Sequence, residues 1–238
     1  MGKASQTARG KLDSSPAVFR PSEYTAALIQ VLRGRAAWVR DADVLEIGSG
    51  SGVVLAALGA MGAASLCGID IENTAARAGD ALLREIGYGT RARVYQGDMW
   101  QPVTGQRFDL VAANLPQFPM SCGHMAGRLA SWGAAGPIGR ERLDPFLRGL
   151  PEHLVPGGRA VITHNGFVDL AHSRRIVAQS GLEFRIAATV LVYLAPEKLG
   201  LMTQAVLRAE EDRSIYRYGP HAFAEMHIVE IGSHESLG

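Results

Sequence analysis

Short continuous apolar runs alternate along this chain with longer stretches of helical period, and few architectures accept that order. The runs are Val44–Ile47, Leu66–Ile71, Arg93–Gln96, Phe108–Ala113, Arg159–Thr163, Phe184–Leu194 and Met226–Ile231. The helical stretches are Val53–Met61, Asn73–Ile86, Arg140–Leu154, Leu170–Ser180 and Met202–Arg213. A strand that is apolar on both faces must be covered on both, and parallel neighbours need a crossover long enough to hold a helix. The pattern therefore predicts an α/β fold: a doubly wound, seven-stranded, mostly parallel sheet. No crossover helix packs tightly between the last two runs, so they are expected to close the sheet as a C-terminal antiparallel hairpin. Upstream, Ser22 reads as the N-cap of a helix whose apolar stripe is Leu28, Ile29 and Leu32.

Residues 1–15 are small, polar and basic without apolar period and read as a flexible tail; 16–238 read as one domain with an insertion at 196–223. Lysine and arginine number 24 against 23 acids, which gives no electrostatic footprint for tight duplex binding. Cys67 and Cys122 are too few for a disulfide framework and lack zinc-site spacing, so no metal is expected. With no 18-residue apolar run and no signal-peptide core near the start, the expectation is a cytoplasmic chain without a membrane span.

In such a sheet ligands sit beyond the carboxyl ends of the strands, where strand order reverses. Four segments fall there. Glu46-Ile47-Gly48-Ser49-Gly50-Ser51-Gly52 follows the first strand and opens a helix; its glycines allow a sharp turn and close approach of a ligand to free N–H groups. The glycines fall as G-x-G-x-G instead of the dinucleotide G-x-G-x-x-G. Asp70, in Gly68-Ile69-Asp70-Ile71-Glu72, lies about 20 residues further on, where a carboxylate can accept two ribose hydroxyls; an isolated aspartate there could as well cap the helix from Asn73, but the glycine turn at this distance favours the ribose. Asp98, in Gly97-Asp98-Met99-Trp100, can accept from an adenine amine with Met99 or Trp100 against the ring, or serve as a turn aspartate. Asn114-Leu115-Pro116-Gln117-Phe118-Pro119 leaves the fourth strand as a stiff loop. Leu154-Val155-Pro156-Gly157-Gly158 reads as a purely structural turn into the fifth strand.

These features in this order resemble a class I S-adenosylmethionine-dependent methyltransferase over roughly residues 18–195. The resemblance implies S-adenosylmethionine as cofactor and S-adenosylhomocysteine as product. Glu46 would lie near the methionine end, with Gly48, Ser49, Gly50 and Gly52 under the cofactor. Asp70 and Ile71 would hold the ribose, Asp98 and Met99 the adenine, and Asn114 the reacting end. Asn114-Leu115-Pro116-Gln117 is similar to the Asn-Pro-Pro-Tyr motif of N-methyltransferases, the release-factor glutamine methyltransferases among them. Gly136-Pro137-Ile138-Gly139-Arg140-Glu141-Arg142-Leu143 and Phe19-Arg20-Pro21-Ser22 resemble segments of that group too. The chain departs from it at Leu115 and Gln117, and the stretch before the glycine turn is too short for the helical N-terminal domain of the bacterial enzymes.

A planar nitrogen has a delocalised lone pair, so it must be turned toward the methyl as well as brought close. The family's arrangement, carried over, uses two acceptors: the Asn114 side-chain oxygen and the Leu115 backbone carbonyl. Pro116, Gln117, Phe118 and His164 are the expected substrate-binding residues. Phe118 can replace the missing tyrosine ring, or Gln117 can bond a polar group. His124 and Trp132 are further candidates, and 196–223 is either a solvated helix or a lid. The favoured reading is an N-methyltransferase acting on a small molecule or amino-acid derivative. The alternative is a macromolecular target: a protein glutamine or lysine, or a nucleobase. A non-catalytic cofactor binder and a nicotinamide dehydrogenase are weaker alternatives, the last because of the glycine spacing. Asp70→Ala is expected chiefly to weaken cofactor binding and Asn114→Ala chiefly to lower turnover; calorimetry and steady-state kinetics separate the two.

Overall fold

A computed structural model of the chain describes residues 21–120 and 135–238. The elements run α1 (Glu23–Gly34), α2 (Ala36–Val39), β1 (Asp43–Ile47), α3 (Val53–Ala60), β2 (Ser65–Asp70), α4 (Asn73–Glu85), β3 (Ala92–Gln96), β4 (Phe108–Ala113) and α5 (Leu143–His153). They continue with β5 (Leu154–Asn165), α6 (Leu170–Ala178), β6 (Glu183–Leu194), α7 (Pro196–Leu201), α8 (Gln204–Glu210), β7 (Ile215–Tyr218), β8 (His221–Gly232) and α9 (His234–Leu237). The expected tail at residues 1–15, the Phe19-Arg20 pair, Cys122, His124 and Trp132 lie outside the described residues.

The sheet has the order β3-β2-β1-β4-β5-β8-β6. The first five of these strands pair in parallel, and β8 runs antiparallel between β5 and β6. Alternation along β1 shows the double winding. Leu45 and Ile47 join a core with Phe146, Leu147 and Ile176 from α5 and α6. Val44 joins the opposite core with Leu28 and Leu32 of α1, Leu55 and Leu58 of α3 and Leu83 of α4. Spacing accounts for the helices: α4 buries Ala75, Ala76, Gly79 and Leu83, the stripe of one helical face. At α1, Ser22 occupies the N-cap position and its N–H donates to the Thr25 hydroxyl at 3.3 Å.

Two features depart from the expectation. The sheet has eight strands among the described residues, because β7 pairs antiparallel with the start of β8 across a turn at Gly219-Pro220. Four residues interrupted by a charge, Ile215-Tyr216-Arg217-Tyr218, carry too little apolar periodicity to read as a strand. The helix expected over Met202–Arg213 is the shorter α8, and a second short helix, α7, precedes it in the 196–223 insertion. The break falls at Thr203, whose N–H and hydroxyl both donate to the Pro119 carbonyl, at 2.8 and 3.1 Å. A tertiary partner has taken a backbone group that a continuous helix would use.

Gly52 shows how tightly the site's foundation is packed. It sits at the N-cap of α3 with φ +76°, and a Cβ there would lie 2.9 Å from the Gly79 Cα of α4. Gly52→Ala combines left-handed strain with a backbone clash. It is expected to cost about 2 kcal/mol or more and to lower the melting temperature by roughly 5 °C, read by calorimetric or fluorescence melting.

Candidate active site

Strand order reverses between β1 and β4, and a cleft opens at their carboxyl ends. Its floor on the β1–β2 side is Ile47, Gly48, Gly50, Ile69, Asp70 and Ile71, and Gly97, Asp98 and Met99 continue it beyond β3. On the β4 side stand Asn114, Leu115, Pro116, Gln117 and Phe118. The rim adds Ser22, Glu23 and Tyr24 of the α1 end, Arg142 before α5, Asn165 at the end of β5 and Lys198 of α7.

The glycine turn is held from below. Gly48 and Gly50 adopt φ +75° and +51°, and the Gly48 and Ser49 N–H groups both donate to the Ile69 carbonyl. The Gly50 N–H donates to one oxygen of Asp70 at 2.8 Å, and the Glu72 N–H to the other at 2.9 Å. Asp70 thus ties the turn to the α4 start and keeps spare lone pairs on both oxygens toward the cleft. Burial pushes its pKa up, and the two N–H groups pull against that shift. Met99, a left-handed non-glycine residue at φ +50°, lines the cleft, whereas Trp100 stacks on His153 and Phe146 with centroids 4.3 and 5.2 Å away.

Three expected cofactor residues are not in the lining. Glu46 is buried on the α3 side of β1, one residue below Ile47. Burial drives its pKa well above the usual carboxylate range, partly offset by the Leu55 N–H and reinforced by Asp70. Its Oε2 has no partner among the described residues. Ser49 is buried with its side chain near Gly68, and Gly52 serves the α3–α4 approach described above. An orphaned carboxylate oxygen beneath the glycine turn, next to a carboxylate with spare lone pairs, fits a ligand that carries both a cation and a diol. S-adenosylmethionine carries both.

The loop after β4 is clamped to β5. Asn114 Oδ1 accepts from the Thr163 hydroxyl at 2.9 Å. Gln117 places its side-chain amide along the β5 end: Nε2 donates to the Thr163 carbonyl and Oε1 accepts from the Asn165 N–H, both at 2.8 Å. Gln117 therefore lines the cleft with both ends of its amide engaged by the strand. Phe118 packs edge-on against Phe167 with centroids 6.3 Å apart. Residues 135–141 press from outside, with the Ala135 N–H on the Phe118 carbonyl. At Gly139, φ +75°, a Cβ would collide with the Gln117 carbonyl.

His164 does not reach the cleft. It is fully buried, with Nδ1 on the Asn165 carbonyl and Nε2 on the Ser173 hydroxyl, and burial lowers its pKa to about 3. Successive strand residues point to opposite faces, so its neighbour Asn165 is the one that lines the site. Asn165 Oδ1 accepts from the Tyr24 hydroxyl at 2.9 Å. Tyr24 and Glu23 escaped the sequence reading because α1 reaches the cleft only through packing, with the Arg20-Pro21-Ser22 segment as the available signal; Arg142 and Lys198 entered that reading only as members of the Gly136–Leu143 segment and the 196–223 insertion.

Comparison with known proteins agrees with this geometry. Residues 44–132 match the family model described as a methyltransferase domain. A protein of Methanocaldococcus jannaschii described as a candidate protein N5-glutamine methyltransferase is 29% identical over 185 residues, covering 76% of this chain and 89% of that one. The release factor glutamine methyltransferase of Xylella fastidiosa is 27% identical over 174 residues, 71% of this chain; the chain spans only 62% of that relative's length. Among solved structures, the Thermus thermophilus 16S rRNA N2 G1207 methyltransferase in complex with AdoMet and guanosine superposes with a TM-score of 0.55 at 17% identity, covering 90% of this chain and 44% of that one. The cleft at the switch point of this sheet, the methyltransferase-domain match and these relatives together support a class I methyltransferase that uses S-adenosylmethionine as methyl donor.

Proposed function

We propose that the enzyme methylates the side-chain amide nitrogen of a glutamine in a protein. The observation that carries this reading is the hold on Asn114: with Thr163 bonded to one lone pair of Oδ1, the other is left for an N–H of the acceptor. The Leu115 carbonyl takes the second N–H, a role that a leucine fills as well as a proline because only the main chain is used. The two acceptors turn the amide so that its lone pair faces the methyl. S-adenosylmethionine supplies the methyl as a sulfonium substituent and leaves as S-adenosylhomocysteine. As the N–C bond forms, the acceptor nitrogen sheds one N–H proton to solvent, and the carbonyl oxygens stabilise the positive charge that builds on it. Orientation, proximity and exclusion of water do most of the work.

The relatives favour a macromolecular acceptor over the small molecule expected from the sequence, since the similar proteins carry protein-glutamine and ribosomal RNA names. For the cofactor, Asp70 and Ile71 would hold the ribose, Asp98 and Met99 the adenine, Gly48 and Gly50 the backbone approach, and Glu46 the methionine ammonium. Pro116 and Phe118 would wall the acceptor amide, with Tyr24 in place of the motif's tyrosine. The 196–223 segment, anchored on Pro119 through Thr203 and reaching the rim with Lys198, would act as a fixed lid.

Incubation with methyl-labelled S-adenosylmethionine, cell-extract proteins and a small-metabolite fraction side by side tests the acceptor. Label recovered as N5-methylglutamine after proteolysis is expected; label confined to metabolites or to nucleobases overturns the reading. Glu46 gives a separate check. Its folded-state pKa lies above the unfolded value, so it stabilises the free protein at low pH and that contribution is lost as pH rises through the raised pKa. Glu46→Gln is expected to flatten this pH dependence and raise the melting temperature at pH 8. It should weaken S-adenosylmethionine binding about tenfold or more by calorimetry; unchanged affinity would remove Glu46 from the cofactor set.

A further inference from the structure

We propose that Arg140, Ser173 and His164 form a positioning relay that sets the orientation of Asn114, acting through Asn165, Gln117 and Thr163. The inference rests on the reading of Asn114 as a holder of the acceptor N–H, and adds residues that never touch substrate.

The contacts run in unbroken order. Arg140 Nη2 donates to Ser173 Oγ at 3.0 Å, and Ser173 Oγ meets His164 Nε2 at 2.8 Å. His164 Nδ1 meets the Asn165 carbonyl at 2.9 Å. The Asn165 N–H donates to Gln117 Oε1, Gln117 Nε2 donates to the Thr163 carbonyl, and the Thr163 hydroxyl donates to Asn114 Oδ1. Ser173 and His164 are wholly buried, and Gln117, Thr163 and Arg140 nearly so.

Chemistry fixes the direction of each ambiguous proton. A guanidinium can only donate, so the Ser173 oxygen accepts from Arg140 and its hydroxyl is free to donate to His164 Nε2. A carbonyl can only accept, so His164 Nδ1 carries the hydrogen. Burial holds the imidazole neutral, its pKa lowered to about 3, so with Nδ1 carrying the hydrogen Nε2 is left to accept from the Ser173 hydroxyl. Each link then donates toward Asn114, and the Gln117 amide both accepts and donates within one polarisable group.

Each end is anchored. Arg140 also donates from Nε to Asp144 at 2.8 Å and from Nη1 to the Asp169 carbonyl at 2.9 Å, so the N-terminal turns of α5 and α6 hold it. At the other end the Thr163 hydroxyl determines which face of the Asn114 amide points into the cleft. The relay gives a reason for two features that the cofactor site does not use: Arg140 within the Gly136–Leu143 segment, and a polar glutamine where the motif of the relatives has an aromatic ring.

The test reads Asn114 directly, without an acceptor. In the full-length protein the Asn114 side-chain amide resonances are assigned by their loss in Asn114→Asp, and S-adenosylhomocysteine binding is followed by calorimetry. Ser173→Ala and His164→Ala are expected to shift or broaden the Asn114 side-chain pair while changing S-adenosylhomocysteine affinity less than twofold. His164→Asn, which keeps a donor for the Asn165 carbonyl, should restore the pair toward its wild-type position. Wild-type imidazole nitrogens should show the neutral Nδ1–H pattern. Asn114 resonances that superimpose on wild type in both alanine variants, with only a lower melting temperature, would overturn the relay and make the cluster merely structural. Because these readouts involve no methyl transfer, a wrong assignment of the acceptor leaves the result intact, and the labelling experiment alone decides that assignment.

Discussion

One carboxylate holds the glycine-turn side of the cleft together. Asp70 accepts the Gly50 N–H on one oxygen and the Glu72 N–H on the other, so the turn after β1, the end of β2 and the start of α4 move as one body. The strand register makes this possible. Ile47 pairs with Ile69 on one side and with Ala113 on the other, which brings the ends of β1, β2 and β4 level at one edge. A glycine turn has little side-chain packing of its own, and the bonds of its N–H groups to the Ile69 carbonyl and to Asp70 supply rigidity without filling the cleft. Glu46, one layer lower, is the converse case, with an oxygen left unsatisfied inside the fold. A buried carboxylate left without a partner costs the fold free energy.

The β4 side of the cleft is rigid for a different reason. A loop of Asn, Leu and Pro leaving a parallel strand has no ladder of its own, so its backbone and side chains must find partners elsewhere. Gln117 borrows the unpaired edge of β5 just past the last β4–β5 pair, Ala113 with Ile162, and extends that ladder with a side-chain amide. Residues 135–141 press on the outside, where Gly139 admits no side chain, and Thr203 draws the α7–α8 segment onto Pro119. The loop is therefore set by three sequence-distant segments, and lost Pro-Pro stiffness is recovered through packing and hydrogen bonds.

Much of this was legible in the chain alone. Continuous apolar runs with helices between them specify a covered parallel sheet, and residues just past each strand collect at one edge whatever the details of packing. Gly48, Gly50, Asp70, Ile71, Asp98, Met99, Asn114, Leu115, Pro116, Gln117 and Phe118 do line one cleft. What failed to read depended on direction and distance. His164 and Asn165 differ by one strand position and so face opposite ways. Ser49 and Gly52 belong to the same turn as Gly48 and Gly50 yet look into the core. Gln117 gave no local hint that β5 would occupy its amide.

The sequence by itself determined the order of strands and helices, the position of the glycine turn and the placing of Asp70, Asp98 and Asn114 at strand ends, because periodicity and turn chemistry act over a few residues. Only the tertiary structure decided which of those side chains face the cleft, that Tyr24, Arg142 and Lys198 join them, and that a buried line of hydrogen bonds connects Arg140 to Asn114. Those outcomes rest on contacts between residues far apart in the chain. Such contacts appear only once hydrophobic burial has brought the layers together and most buried donors have had to find an acceptor.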